Sequence, residues 1–267
     1  MKEILIITGS DLRHEYFKKY ISSEASISVL ATFCESTKGN LDNNIINEFD
    51  GSLRSEHLIK RKESEKKFFY NYCKETIDKS NSIYIERGDI NLPENVNKII
   101  KINPDLIISY GCSIIRSDLL KIFKGKFINI HLGLSPYYRG SGTNFWPFVE
   151  NKLSLIGTTF MHIDEGIDTG DIIHQIRAKV EYGDSIHSIG NRLIIDSVSE
   201  CVKIINNYSR LKKHPHPILD SGKLFKNKDF TEEAIKLAYD SLDIKIKNYI
   251  ENKSLLDQKF PIINAFE

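Results

Sequence analysis

Asn129 and His131 stand two apart in the run Phe127-Ile128-Asn129-Ile130-His131, and an acidic turn, Asp164-Glu165-Gly166-Ile167-Asp168-Thr169-Gly170, follows later in the chain. Alternation along an extended strand puts Asn129 and His131 on the same face. A side-chain amide can donate to a carbonyl oxygen as that oxygen gains charge. Imidazole exchanges protons near neutral pH, and a carboxylate beside it stabilises its charged form. An amide donor, a proton carrier and an acid to tune it are the parts that acyl transfer to an amine needs. Singly, each has a plain alternative: an Asn capping a strand end, a satisfied core His, a turn Asp beside Gly. Together they favour chemistry. The chain turns at once through Gly133 and Pro136. That places His131 at the carboxyl end of a parallel strand, where open α/β sheets bind ligands.

The elements that must position these residues follow from apolar patterning. Short apolar runs at 4–8, 27–33, 82–85, 106–110 and 127–132 alternate with amphipathic stretches. This alternation signals an α/β fold with a mostly parallel sheet. Runs at 156–163 and 172–180 read as paired strands around the acidic turn, and 185–208 as a long helix. Residues 54–79 read as a long, highly charged helix. After His214-Pro215-His216-Pro217 the character changes, so 1–210 is expected as the main domain and 211–267 as a small C-terminal extension. That extension is expected to hold a short extended piece at 223–226 and one helix over 232–250.

Composition narrows the function class. The chain has 267 residues, 40% hydrophobic and 27% charged, with a net charge of +1. A dedicated nucleic-acid binder would be clearly basic, so no nucleic acid is expected as partner. Cys34, Cys73, Cys112 and Cys201 are widely spaced, which signals neither a zinc site nor a disulfide framework. Reduced thiols and a cytoplasmic location are the expectation. No apolar run approaches the roughly 20 residues that span a bilayer, so no membrane is expected. Thr8-Gly9-Ser10 after the first strand lacks the G-x-G-x-x-G pattern, which argues against a nicotinamide or flavin cofactor.

The Asn-x-His strand, the turn Ser135-Pro136-Tyr137-Tyr138-Arg139-Gly140 and the loop 164–171 together resemble the formyltransferases that use 10-formyltetrahydrofolate. The resemblance covers roughly residues 1–205 and looks strongest to the bacterial sugar N-formyltransferases. It implies a Rossmann-like formyltransferase core, with 10-formyltetrahydrofolate as co-substrate and no metal. Asn129, His131 and Asp168 fall on the family's catalytic trio. Tyr110, Gly111, Ser113, Ile114 and Ile115 match the segment that walls the folate ring, although Arg116 stands where many relatives have Pro. Asp164, Glu165, Gly166 and Ile167 should supply backbone hydrogen bonds to the pterin edge. The implied activity moves a formyl group to the primary amine of an amino sugar, as a sugar nucleotide or a pseudaminic-type nonulosonic acid precursor for surface glycans. A methionyl-tRNA formyltransferase-like enzyme and a formyltetrahydrofolate hydrolase are the alternatives. A homodimer is compatible with the sequence.

The acceptor side rests on residue chemistry. Ser10, Arg13 and His14 lie where a strand turns into a helix, a place that holds anions, although a solvated helix start reads equally well. His57 and Arg61 sit four apart on one face of the charged helix, which is otherwise a solvated face. Tyr138, Arg139 and Thr143 follow the Asn-x-His strand beside a glycine-rich turn. The acceptor is expected to carry a diphosphate or carboxylate, met by cations at Arg13, His57, Arg61 or Arg139.

Overall fold

The computed structural model describes residues 1–38, 44–45, 51–217 and 222–266. Part of the expected domain boundary, 218–221, therefore lies outside the described residues. The central strand β1 (Lys2–Thr8) is apolar on both faces and lies between β2 (Ile27–Glu35) and β4 (Leu106–Tyr110). Beyond these come β3 (Ser82–Ile85) on one side and β5 (Phe127–His131) on the other. These five strands pair in parallel. β7 (Gly157–Met161) and β8 (Ile172–Arg177) continue the sheet antiparallel, in the order β3-β2-β1-β4-β5-β7-β8.

Residue alternation along β1 sorts the core. Ile4 and Ile6 face one apolar layer, with α1 (Leu12–Ser23), α2 (Leu53–Glu75) and α6 (Ile186–Asn207). Leu5 and Ile7 face the other, with α3 (Pro93–Ile102) and α4 (Ser117–Ile122). Strand order reverses direction between β1 and β4. The crevice outside the strand ends at such a switch point is where doubly wound sheets bind ligands.

A second apolar centre lies under the segment between β5 and β7. It joins Tyr138 of β6 (Tyr138–Gly140) and Trp146 of α5 (Trp146–Val149) to Ala234, Ile235 and Ala238 of α7 (Glu232–Tyr239). β6 pairs in parallel with β9 (Lys223–Phe225), and Trp146 stacks on Phe225 at 4.2 Å. The carboxylate of Glu232 accepts from the backbone N–H groups of Leu53 and Arg54, at 3.0 and 3.1 Å. It caps the first turn of α2, where N–H groups lack intrahelical partners. The C-terminal segment is thus built into the wall of the main sheet domain. The single helix expected over 232–250 is two: α7 ends at Tyr239, Ser241 adopts a positive φ of 50°, and α8 (Leu242–Glu251) restarts. A short α9 (Lys253–Gln258) follows. No helix among the described residues is long and apolar enough to cross a membrane.

Candidate active site

The carboxyl ends of β4 and β5 bring the Asn-x-His pair to a cavity of about 480 Å³. Register pairs Ser109 of β4 with Asn129 of β5. The Ser109 hydroxyl donates to Asn129 Oδ1 at 2.9 Å. That bond fixes which way the amide faces, leaving Nδ2 as its donor end. Both residues line the cavity.

His131 is almost fully buried. Its Nε2 stands 3.1 Å from the Tyr138 carbonyl oxygen. A carbonyl only accepts, so Nε2 carries the proton, and in neutral imidazole Nδ1 holds the lone pair. Nδ1 lies 3.4 Å from Asp168 Oδ1. Asp168 is itself fixed: its Oδ2 accepts from Gly140 N–H at 2.8 Å, and its backbone sits at φ 52°. Asp tolerates this left-handed region better than most residues because its short side chain bonds locally. The loop before it is braced by Asp164, whose Oδ1 accepts from Gly166 N–H at 2.9 Å and Thr169 Oγ1 at 2.7 Å. Asn129, His131 and Asp168 are thus gathered at one cavity wall.

Two loops supply another part of the lining. Asp164, Glu165, Gly166 and Ile167 line it, as do Tyr110, Gly111, Ser113, Ile114 and Ile115. Gly111 has φ 66°, and a side chain there would collide with the His14 ring. Ile115 is buried in the core, whereas Ile114 is 74% exposed. Ser113, expected as a folate contact, lines the cavity with both of its donors turned to a neighbouring carboxylate. Its N–H and hydroxyl both donate to the Glu35 carboxylate, each at 2.6 Å, and Gly88 N–H donates to the same group at 3.1 Å. Glu35 is fully buried and was not singled out by sequence reasoning, because a carboxylate ending an apolar strand has no local signature. Tyr110 is buried too, and its hydroxyl has no hydrogen-bond partner among the described residues.

The acceptor-side expectations divide. Ser10 does not line the cavity; its hydroxyl donates to the Glu35 carbonyl oxygen at 2.9 Å. Arg13 lines it, but its guanidinium is held by Glu65 at 2.7 Å and Asp11 at 2.8 Å. His14 accepts from Asp11 N–H at Nδ1, 3.2 Å, and burial pushes its pKa well down, helped by Arg13 and Arg61. It is a neutral wall, not a cation. The Tyr138 ring turns into the second core and its hydroxyl donates to Glu150 at 3.0 Å, so only its carbonyl serves the site. Arg139 also lies outside the lining. Thr143 lines the cavity, with its hydroxyl donated to the Leu132 carbonyl oxygen.

His57 and Arg61 both reach the lining from α2. Arg61 Nε stands 3.5 Å from Glu65. His57 is not the cation expected of it: burial, then His187 and Arg61, push its pKa down to about 3. His187 and Asn191 of α6 line the same region and were missed. They lie far from His57 in sequence, and only the packing of α6 on α2 joins them, as in the 2.9 Å bond from Asn191 Nδ2 to Ser64 Oγ.

Comparison with known proteins bears on the family and the fold. The family model described as formyl transferase matches residues 54–202, over half of the chain. A methionyl-tRNA formyltransferase from Ehrlichia ruminantium (strain Gardel) is 33% identical over 120 residues, 44% of this chain. That stretch spans only 39% of the relative's own length. Among solved structures, a sugar N-formyltransferase from Shewanella sp. FDAARGOS_354 has the same fold, at 16% identity and a TM-score of 0.58, covering 89% of this chain and 87% of that one. An N-formyltransferase from Helicobacter canadensis, solved with folinic acid and dTDP-3-aminofucose, shares it at 18% identity and a TM-score of 0.56, covering 88% and 80%. With the family's segment spanning the long helix α2, the Asn-x-His strand and the acidic loop, this chain belongs to the formyl transferase family.

Proposed function

We propose that this chain transfers a formyl group from 10-formyltetrahydrofolate to the primary amine of an amino sugar. The observation that carries the reading is the trio gathered at the cavity: an Asn129 amide oriented by Ser109, and a His131 imidazole bonded at Nε2 to the Tyr138 carbonyl with Nδ1 beside the Asp168 carboxylate.

The neutral amine attacks the formyl carbon and the carbonyl oxygen gains negative charge. Asn129 Nδ2 donates to that oxygen, an interaction that strengthens as charge develops. The amine's surplus proton passes to His131 Nδ1, where Asp168 stabilises the imidazolium. The carbon–N10 bond then breaks, the proton goes to N10, and tetrahydrofolate leaves beside the N-formyl product. The folate's ring takes the loop-lined part of the cavity, walled by residues 111–115 and 164–167.

The sugar acceptor draws support from the chain's near-neutral charge and from the Helicobacter canadensis neighbour, whose structure holds an amino-sugar nucleotide. A second reading, formylation of methionyl-tRNA, is favoured by the name of the Ehrlichia relative. Mass spectrometry of reactions containing 10-formyltetrahydrofolate and either dTDP-3-aminofucose or methionyl-tRNA separates the two. A formylated sugar nucleotide supports the proposal. Formylated methionyl-tRNA with an inert sugar nucleotide panel overturns it.

A further inference from the structure

Three rings from distant parts of the chain meet at the α2–α6 end of the cavity. His57 Nδ1 lies 3.0 Å from the Tyr239 hydroxyl, and the same hydroxyl lies 3.2 Å from His187 Nε2. The two imidazoles approach to 4.6 Å between ring centres. Both His line the cavity, whereas Tyr239 comes from α7 behind them. Among the described residues, neither His57 Nε2 nor His187 Nδ1 makes a hydrogen bond, and neither is sealed off from solvent.

One proton count governs this unit. Burial pushes both pKa values down, to about 3 for His57 and about 4 for His187, so both rings are neutral at working pH. A phenol has one proton to donate, and neutral imidazole has one donor and one acceptor nitrogen. If Tyr239 donates to His57, it accepts from His187; then His57 Nε2 is a free N–H and His187 Nδ1 a free lone pair. If Tyr239 donates to His187, the two free ends exchange roles. Every arrangement that uses the phenol proton and sets no lone pair against another leaves one donor and one acceptor for the cavity.

We propose that His57, Tyr239 and His187 form a recognition subsite for an uncharged group of the acceptor that both donates and accepts hydrogen bonds, a ring hydroxyl or an acetamido substituent. A fully ionised phosphate or carboxylate has no proton to offer the free lone pair. The acceptor's anion is therefore read elsewhere on the wall, and this end reads the sugar ring. The inference rests on the amino-sugar reading above and deepens it. It also gives the C-terminal segment a part in recognition, because Tyr239 sets the donor and acceptor pattern of two rings that belong to the main domain.

Substitution Tyr239→Phe keeps the packed ring and removes only the hydroxyl. With dTDP-3-aminofucose as acceptor, it should raise the acceptor KM about tenfold, the typical effect of an unpaired polar group in a recognition site. The folate KM should stay within about twofold. Discrimination between dTDP-3-aminofucose and its monodeoxy analogues should shrink in the variant. Long-range proton–nitrogen spectra of the wild type, which need no acceptor, should show the two rings as the same tautomer, both protonated at Nε2 or both at Nδ1. In Tyr239→Phe that correlation should disappear, with an unchanged melting temperature as the control for folding. An unaltered acceptor KM, an equal rise in both KM values, or two rings that titrate as cations near neutral pH would overturn the subsite. A wild type inert toward every amino-sugar nucleotide but active on another amine would instead overturn the amino-sugar reading, while the spectra still decide the proton pattern.

Discussion

Ser109 Oγ donates to Asn129 Oδ1 across the β4–β5 pair, at 2.9 Å. The amide therefore has a fixed sense, with its N–H end left for the cavity. Ser109 is fully buried, so water does not compete for this bond. Removing it with Ser109→Ala should lower kcat about tenfold, given roughly 1 kcal/mol for such a bond and an amide then free to flip. Both KM values should hold, and Ser109→Thr should restore most of the rate. A loss shared equally between kcat and the KM values would mean that Ser109 only supports the sheet.

On the proposed mechanism, Asn129→Ala removes an oxyanion donor and Asp168→Ala the partner of the imidazolium. Each should lower kcat by about a hundredfold, with the fold intact by circular dichroism. Asp168→Asn should be nearly as damaging, because an amide holds the Gly140 N–H but carries no charge. A fully active Asp168→Asn would limit that residue to a structural role.

Glu35 stands behind the wall that the proposal assigns to folate. It gathers Gly88 N–H and both donors of Ser113 on one buried carboxylate. Glu35→Gln turns an acceptor-only group into one that presents N–H groups to donors. The folate KM should rise about tenfold and the melting temperature should fall, since a lost charged hydrogen bond is worth about 2 kcal/mol. The acceptor KM should change little. Equal effects on both substrates would contradict the assignment of residues 111–115 to the folate.

The buried His pair predicts a pH slope. Folded His57 and His187 titrate near about 3 and about 4, against 6.5 for the ordinary group. The unfolded chain binds more protons throughout that window. The stabilisation is therefore full above 6.5 and is lost as pH falls toward the folded values. Between pH 6.5 and about 5 each ring should cost about 2 kcal/mol. Urea unfolding across that range should show the loss, and His57→Phe should flatten the curve. Identical slopes in the two proteins would contradict the burial argument.

The parallel sheet was readable because β1 and β4 are built on apolar runs, and the Asn129–His131 pair because alternation puts the two on one face. Local pattern failed where contacts cross the chain. Tyr138 and Arg139 neighbour the site in sequence, yet β6 turns the Tyr138 ring into the second core and leaves Arg139 off the lining. His57 was placed correctly at the cavity, but its charge depends on burial by α6 and α7, which spacing on α2 does not reveal. Glu35 and Tyr239 carry no motif at all; their roles arise from partners dozens to nearly two hundred residues away. The break at Ser241 was missed because the apolar period runs through it.

The central claim is that His131 handles the amine's proton in a formyl transfer. It is tested most directly by incubating the chain with carbon-13-labelled 10-formyltetrahydrofolate and dTDP-3-aminofucose, then following the labelled product by mass spectrometry. Wild type should produce the N-formyl sugar nucleotide, one labelled formyl per molecule, and His131→Ala should produce it at least about a hundredfold more slowly. Labelled product forming at the wild-type rate in His131→Ala would contradict the account.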